Sequence, residues 1–147
     1  MRTGPQYSSG HMKPLILSLL LVFASVIPAA AQIWALGGYD VVSYQKSGRP
    51  IPGRTDIATM WQGKIWHFAT EENRARFEAD PRSYAPGFGG LCPVSLAEGT
   101  KQKGDPRYFV IIGKRLYLLR SAAAERQLLS APREVIMQAR ETLSRMR

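Results

Sequence analysis

Short, mostly apolar runs pair across a glycine-containing connection in two places. Ile57 to Trp61 turns at Gln62-Gly63 into Ile65-Trp66-His67-Phe68. Tyr108 to Ile112 turns at Gly113-Lys114 into Leu116-Tyr117-Leu118-Leu119. Two such runs joined by a two-residue connection with glycine predict a β-hairpin, because glycine supplies the positive φ that tight turns need. A hydroxyl follows each hairpin, Thr70 or Ser121, and predicts a helix N-cap; Glu71 and Glu72 then suit the positive end of the helix dipole. Asp80-Pro81 and Ala131-Pro132 predict a restart, with proline at the first helical position. Upstream, Tyr39 to Tyr44 reads as a strand led in by Gly37-Gly38, and Gly48 to Gly53 as a loop. A short helix is expected from Pro93 towards Gly99, and a longer one from Arg133 to Met146 with Ile136, Ala139, Leu143 and Met146 on one stripe, as core or dimer contact.

The two hairpin regions align at an offset of 51 residues, Ile65 to Thr70 on Leu116 to Ser121. In the same register Phe77 falls opposite Leu128, Pro81 opposite Pro132 and Tyr84 opposite Val135. The pattern predicts a hairpin–helix–helix unit used twice. The fold class expected is α+β: a small antiparallel sheet from two β-hairpins, each followed by a helix pair, in a single compact domain.

Leu15 to Ile27 is an apolar run behind Met12-Lys13, and Pro28-Ala29-Ala30-Ala31 presents small residues. That arrangement predicts a signal peptide over residues 12–31, cleaved after Ala31, and hence an exported, periplasmic protein; the alternative is an uncleaved N-terminal membrane anchor. Residues 1–11 read as an extension. The remaining domain, 32–147, comprises a core at 38–120 and C-terminal helices at 121–146. It carries 18 basic and 11 acidic residues, a net charge of +7. The bases are dispersed, which fits a cationic surface facing an anionic membrane or an acidic protein partner. No nucleic acid is expected as partner, since no basic helix or RNA-binding signature occurs.

With leader and extension removed, one cysteine and one histidine remain, Cys92 and His67. That count rules out four-ligand Cys and Cys/His zinc sites within one chain. Cys92 follows Gly89-Gly90 at an expected helix start, where backbone N–H groups favour a thiolate. It is a buried core residue, an interchain partner or a functional thiol. On strand alternation His67 reads first as a structural histidine, its counterpart being Leu118. Gly89 and Gly90 read as a sharp turn, or as N–H groups offered to an anion. Asp40 is the one acid set among aromatics, between Tyr39 and Tyr44, while Asp80 and Asp105 precede prolines and look like caps.

The ordered set Gly38-Tyr39-Asp40-Val41-Val42-Ser43-Tyr44, Trp61-Gln62-Gly63-Lys64-Ile65-Trp66-His67-Phe68, Asn73, Phe77, Asp80-Pro81, Tyr84-Ala85-Pro86, Phe88-Gly89-Gly90-Leu91-Cys92, Gly99, Asp105-Pro106, Gly113-Lys114 and Leu116-Tyr117-Leu118 resembles a YHS domain in its longer exported bacterial form. The family is described as metal-associated. Its short relatives carry a cysteine just after the aromatic pair and another four residues on, where Ala69 and Asn73 stand here. The resemblance implies a small binding module. A soft metal such as copper is expected on Cys92 and His67, or a small ligand near Cys92, with Tyr39, Asp40, Tyr44, Gly89 and Gly90 as further candidates. The alternative is a structural or interaction domain with Cys92 in its core. A thiol-dependent enzyme ranks last, and no catalytic residue is assigned.

Overall fold

The computed structural model describes residues 31–147, together with residues 1, 3–5 and 10. The apolar run and the predicted leader lie outside the described residues, apart from Ala31 at its end. Among the described residues no helix is long and apolar enough to cross a membrane. Ala31–Arg147 forms one unit, in which one arrangement of elements occurs twice.

The first repeat runs from a turn at Ala35–Gly38 into helix α1 (Val41–Ser47), hairpin β1 (Arg54–Trp61) and β2 (Lys64–Phe68), and helices α2 (Glu71–Ala79) and α3 (Pro81–Tyr84). The second runs from a turn at Gly87–Gly90 into α4 (Pro93–Ala97), β3 (Asp105–Ile112), β4 (Arg115–Leu119), α5 (Ala122–Ser130) and α6 (Pro132–Arg145). The class is α+β as expected, with each hairpin its own two-stranded antiparallel sheet. Both connections have positive φ at their two central residues, 48° and 70° at Gln62-Gly63 and 56° and 64° at Gly113-Lys114. That is the turn whose twist matches the strands it joins. Trp61 pairs with Lys64 as Ile112 pairs with Arg115, and the ladders shift register between Arg54 and Ala58 and between Asp105 and Phe109.

Both hydroxyl caps form: Thr70 Oγ1 accepts from the Asn73 amide and Ser121 Oγ from the Ala124 amide, each at 3.1 Å. Pro81, Pro93 and Pro132 each open a helix. One element differs from expectation. Tyr39–Tyr44 is not a strand; the chain enters α1 at Val41, because Asp40 Oδ1 accepts the Val42 amide at 2.9 Å and caps a helix there. The C-terminal stripe is also displaced. α6 buries Val135, Ile136, Ala139 and Thr142, whereas Met146 is exposed.

The repetition reaches further upstream than the hairpins, at an offset of 52. Ala35-Leu36-Gly37-Gly38-Tyr39-Asp40-Val41-Val42-Ser43-Tyr44 is matched by Gly87-Phe88-Gly89-Gly90-Leu91-Cys92-Pro93-Val94-Ser95-Leu96. Three successive positive φ values recur, 50°, 58° and 91° at Leu36 to Gly38 and 56°, 63° and 86° at Phe88 to Gly90. The backbone bonds recur too. Asp40 N donates to Ile51 O and Cys92 N to Gln102 O, both at 2.8 Å, and Gly53 N to Gly38 O as Gly104 N to Gly90 O, both at 2.8 Å.

Two buried clusters result. One gathers Val41, Val42, Tyr44, Ile57, Trp66, Phe68 and Phe77 with Leu116 and Leu118 of the second repeat. The other gathers Cys92, Val94, Val110, Tyr117, Leu119, Leu128, Val135 and Ile136. Strand β4 therefore serves both, its alternate residues facing opposite ways. Aromatic rings fill the first cluster, with Trp66 and Phe77 stacked at 4.8 Å between centroids and Phe68 5.2 Å from Phe77. Tyr44 crosses between the repeats and donates to Pro106 O at 2.6 Å.

Where each double-glycine turn meets its hairpin, the backbones touch. A Cβ on Gly53 would lie 2.6 Å from the His67 carbonyl carbon, and one on Gly104 2.5 Å from the Leu118 carbonyl carbon. Backbone cannot yield as a side-chain tip can. Gly104→Ala is therefore expected to cost about 3 kcal/mol by overpacking, read from the denaturant midpoint, with Gly53→Ala similar; a loss under about 0.5 kcal/mol in either would contradict the close approach.

Candidate ligand-binding cleft

The candidates singled out in the sequence fall in different surroundings. Asp40 is fully buried. Its Oδ1 accepts the Val42 amide, and its Oδ2 accepts the Ala69 amide at 2.9 Å and Asn73 Nδ2 at 2.7 Å. A buried carboxylate needs such donors to offset its lost hydration. Ser43 completes the corner, donating to Asp40 O at 2.6 Å and accepting from the Ile51 amide. Asp40 is thus an anchor tying α1 to β2 and α2. Of the two acids before prolines, Asp80 caps α3 without a side-chain bond. Asp105 instead accepts from the Arg107 side chain and amide, which hold its carboxyl below the usual range.

Cys92 stands at the position of Asp40 in the second repeat. It precedes α4 as expected, makes no side-chain cap bond, and is fully buried in the second cluster beneath Val135 and Ile136. The side-chain donor of Asp40 is gone as well, since Ala124 stands in the place of Asn73, while Arg120 stands in the place of Ala69. Arg120 donates to Ser95 Oγ and pairs with Glu98 at 2.9 Å, and Glu98 first of all raises its guanidinium above the ordinary value. Among the described residues no three His, Cys, Asp or Glu side chains gather as a metal site.

His67 is buried in the first repeat with the edge of Trp34 against it, ring centroids 4.5 Å apart. Its Nδ1 and Asn73 Oδ1 lack partners among the described residues. Tyr39 is half-buried, bridging to Pro52, and Tyr44 is buried.

Gly89 and Gly90 alone among the candidates border an opening. A cleft of about 600 Å³ lies along the seam between the repeats. The first repeat contributes Ile33, Trp34, Leu36, Trp61, Lys64 and Trp66; the second contributes Pro86, Gly89, Gly90, Leu91, Lys103 and Leu118. Both double-glycine turns therefore form its walls. Trp34 is 48 % exposed and Ile33 59 %, so large apolar surface faces the opening. That size and lining suit a small organic molecule. The Ile33-Trp34 segment is held by the edge of the first sheet, where the Ile65 amide donates to Ile33 O at 2.9 Å.

The aromatic and cationic wall was missed from sequence because its members lie in separate elements. The usable signal was the Gly-Gly-x-x-x-Val-Ser repeat at Gly37 to Ser43 and Gly89 to Ser95, whose offset of 52 differs by one from that of the hairpins. No family model, curated protein or solved structure matches the chain.

The junction between the repeats has a pH signature. Burial first, then Tyr39, Asp105 and Asp40, push the Tyr44 phenol well above its ordinary value. The native state keeps that proton when the unfolded chain loses it, so the contribution of Tyr44 is intact below about pH 10 and is lost as pH rises towards the native value. Its share of the alkaline slope is about 1.4 kcal/mol per pH unit. Tyr44→Phe is expected to flatten the fall in stability between about pH 10 and 11.5, read by denaturant titration at each pH; slopes equal to those of the parent would contradict it.

Proposed function

We propose that this chain is a non-catalytic binding module of the YHS type, exported to the cell envelope, whose small ligand occupies the cleft between its repeats. The observation that carries the reading is the contrast between an open cleft walled by exposed and half-exposed tryptophan and a thiol with no exposed surface. A reactive cysteine needs access, and Cys92 is a fully buried residue taking the place of Asp40. The family resemblance supports a binding role, and the Lys13 to Ala31 pattern supports export.

Binding by a neutral aromatic probe, N-phenyl-1-naphthylamine, tests the site. Its fluorescence is expected to rise saturably with the folded protein. Trp34→Ala should weaken it by about tenfold, the loss of one aromatic wall, while Cys92→Ala leaves it unchanged in protein shown to be folded by circular dichroism. Binding that ignores Trp34, or that disappears with the thiol, would overturn the reading.

A further inference from the structure

We infer that the cleft selects an organic anion with a flat apolar body, of the aromatic carboxylate or sulfonate class. The inference rests on the cleft being the binding site and adds the chemistry of its occupant.

Charge on the lining is one-sided. Lys64 comes from the start of β2 in the first repeat, and Lys103 from the segment bridged to Leu91 in the second. No aspartate or glutamate lines the cleft among the described residues. Some cations of the domain are engaged, such as Lys46 with Glu72, Arg54 with Asp56 and Arg120 with Glu98. Others among the described residues, such as Arg49, Lys101 and Arg126, are not, and it is their place on the cleft that sets Lys64 and Lys103 apart. Lys64 and Lys103 have no such partner among the described residues. Two unneutralised ammonium groups beside a low-dielectric wall make a field that favours an anion and disfavours a cation of equal size.

The apolar part is equally specific. Trp34, Trp61 and Trp66 bring indole rings to the first-repeat side, and Leu91 and Leu118 bring aliphatic surface to the other. Trp66 Nε1 already donates to Trp61 O at 3.0 Å, so that indole N–H is satisfied within the wall. A lining of indole and aliphatic groups suits a planar aromatic body, whose faces offer the most apolar area to cover. An inorganic anion would leave these surfaces wet, and a neutral hydrocarbon would leave the lysines unused. A small planar molecule bearing one acidic group satisfies both.

The sulfonated relative of the neutral probe, 8-anilinonaphthalene-1-sulfonate, provides the comparison, since the two share their aromatic frame. The anion is expected to bind about tenfold more tightly than the neutral probe at low salt, and its advantage to shrink as ionic strength rises. Lys64→Gln and Lys103→Gln should each weaken the anion by about three- to fivefold, and together abolish its advantage without altering the neutral probe. Arg126→Gln, exposed on α5 and outside the lining of the cleft, should change neither. Equal affinity for the two probes, or an anion advantage that survives in the double lysine variant, would overturn the inference while leaving the cleft as a site. Failure of Trp34→Ala to affect either probe would remove the cleft itself.

Discussion

A fully buried carboxylate holds the first repeat together. Asp40 receives three hydrogen bonds from three directions: its own helix at Val42, the end of β2 at Ala69, and α2 at Asn73. Each bond to a charged acceptor is worth about 1.5–3 kcal/mol. The bonds fix where the double-glycine turn leaves its helix. The turn in turn places Leu36 and Gly37 on the cleft, and the preceding residues, Ile33 and Trp34, continue along the same wall. The binding surface is positioned by a group that does not touch it.

The second repeat meets the same geometric demand with different chemistry. The double-glycine turns share their positive φ values, and the backbone bonds that tie turn to hairpin recur, yet Cys92 replaces the carboxylate, and the side-chain donor Asn73 gives way to Ala124. A thiol is small, weakly polar and at ease among aliphatic groups. The long α6 covers this side with Val135, Ile136 and Ala139, where the first repeat has only the single turn of α3. An ionic anchor in one copy and an apolar lid over the other reach the same backbone. Between them a seam is left open, and the cleft is that seam.

Much of the fold was legible in sequence where local chemistry is strong. Gln62-Gly63 and Gly113-Lys114 mark tight turns, Thr70 and Ser121 mark caps, and Pro81 and Pro132 mark helix starts, each through a constraint that acts within a few residues. Tyr39 to Tyr44 was misread because Val41-Val42 favours a strand on intrinsic preference, and the capping bond from Asp40 outweighs it. Thr142 entered the core in place of Met146 because α6 ends against solvent. The cleft was illegible for a different reason. Lys64, Lys103, Trp34 and Leu118 become neighbours only once two repeats are set side by side, and no spacing along one chain encodes that. Gly89 and Gly90 were legible as a special turn, and burial was among the readings open for Cys92, while its correspondence to Asp40 needed the shifted upstream register to be seen.

The claim that the Asp40 anchor determines the first repeat is tested most directly by a double-mutant cycle between Asp40→Ala and Asn73→Ala, read as unfolding free energy by chemical denaturation. Asp40→Ala alone is expected to cost at least about 3 kcal/mol, since it strands three buried donors. The two substitutions together should cost about 2 kcal/mol less than their sum, the coupling of a buried charged hydrogen bond. Additive losses, or an Asp40→Ala protein within about 0.5 kcal/mol of the parent, would contradict the account.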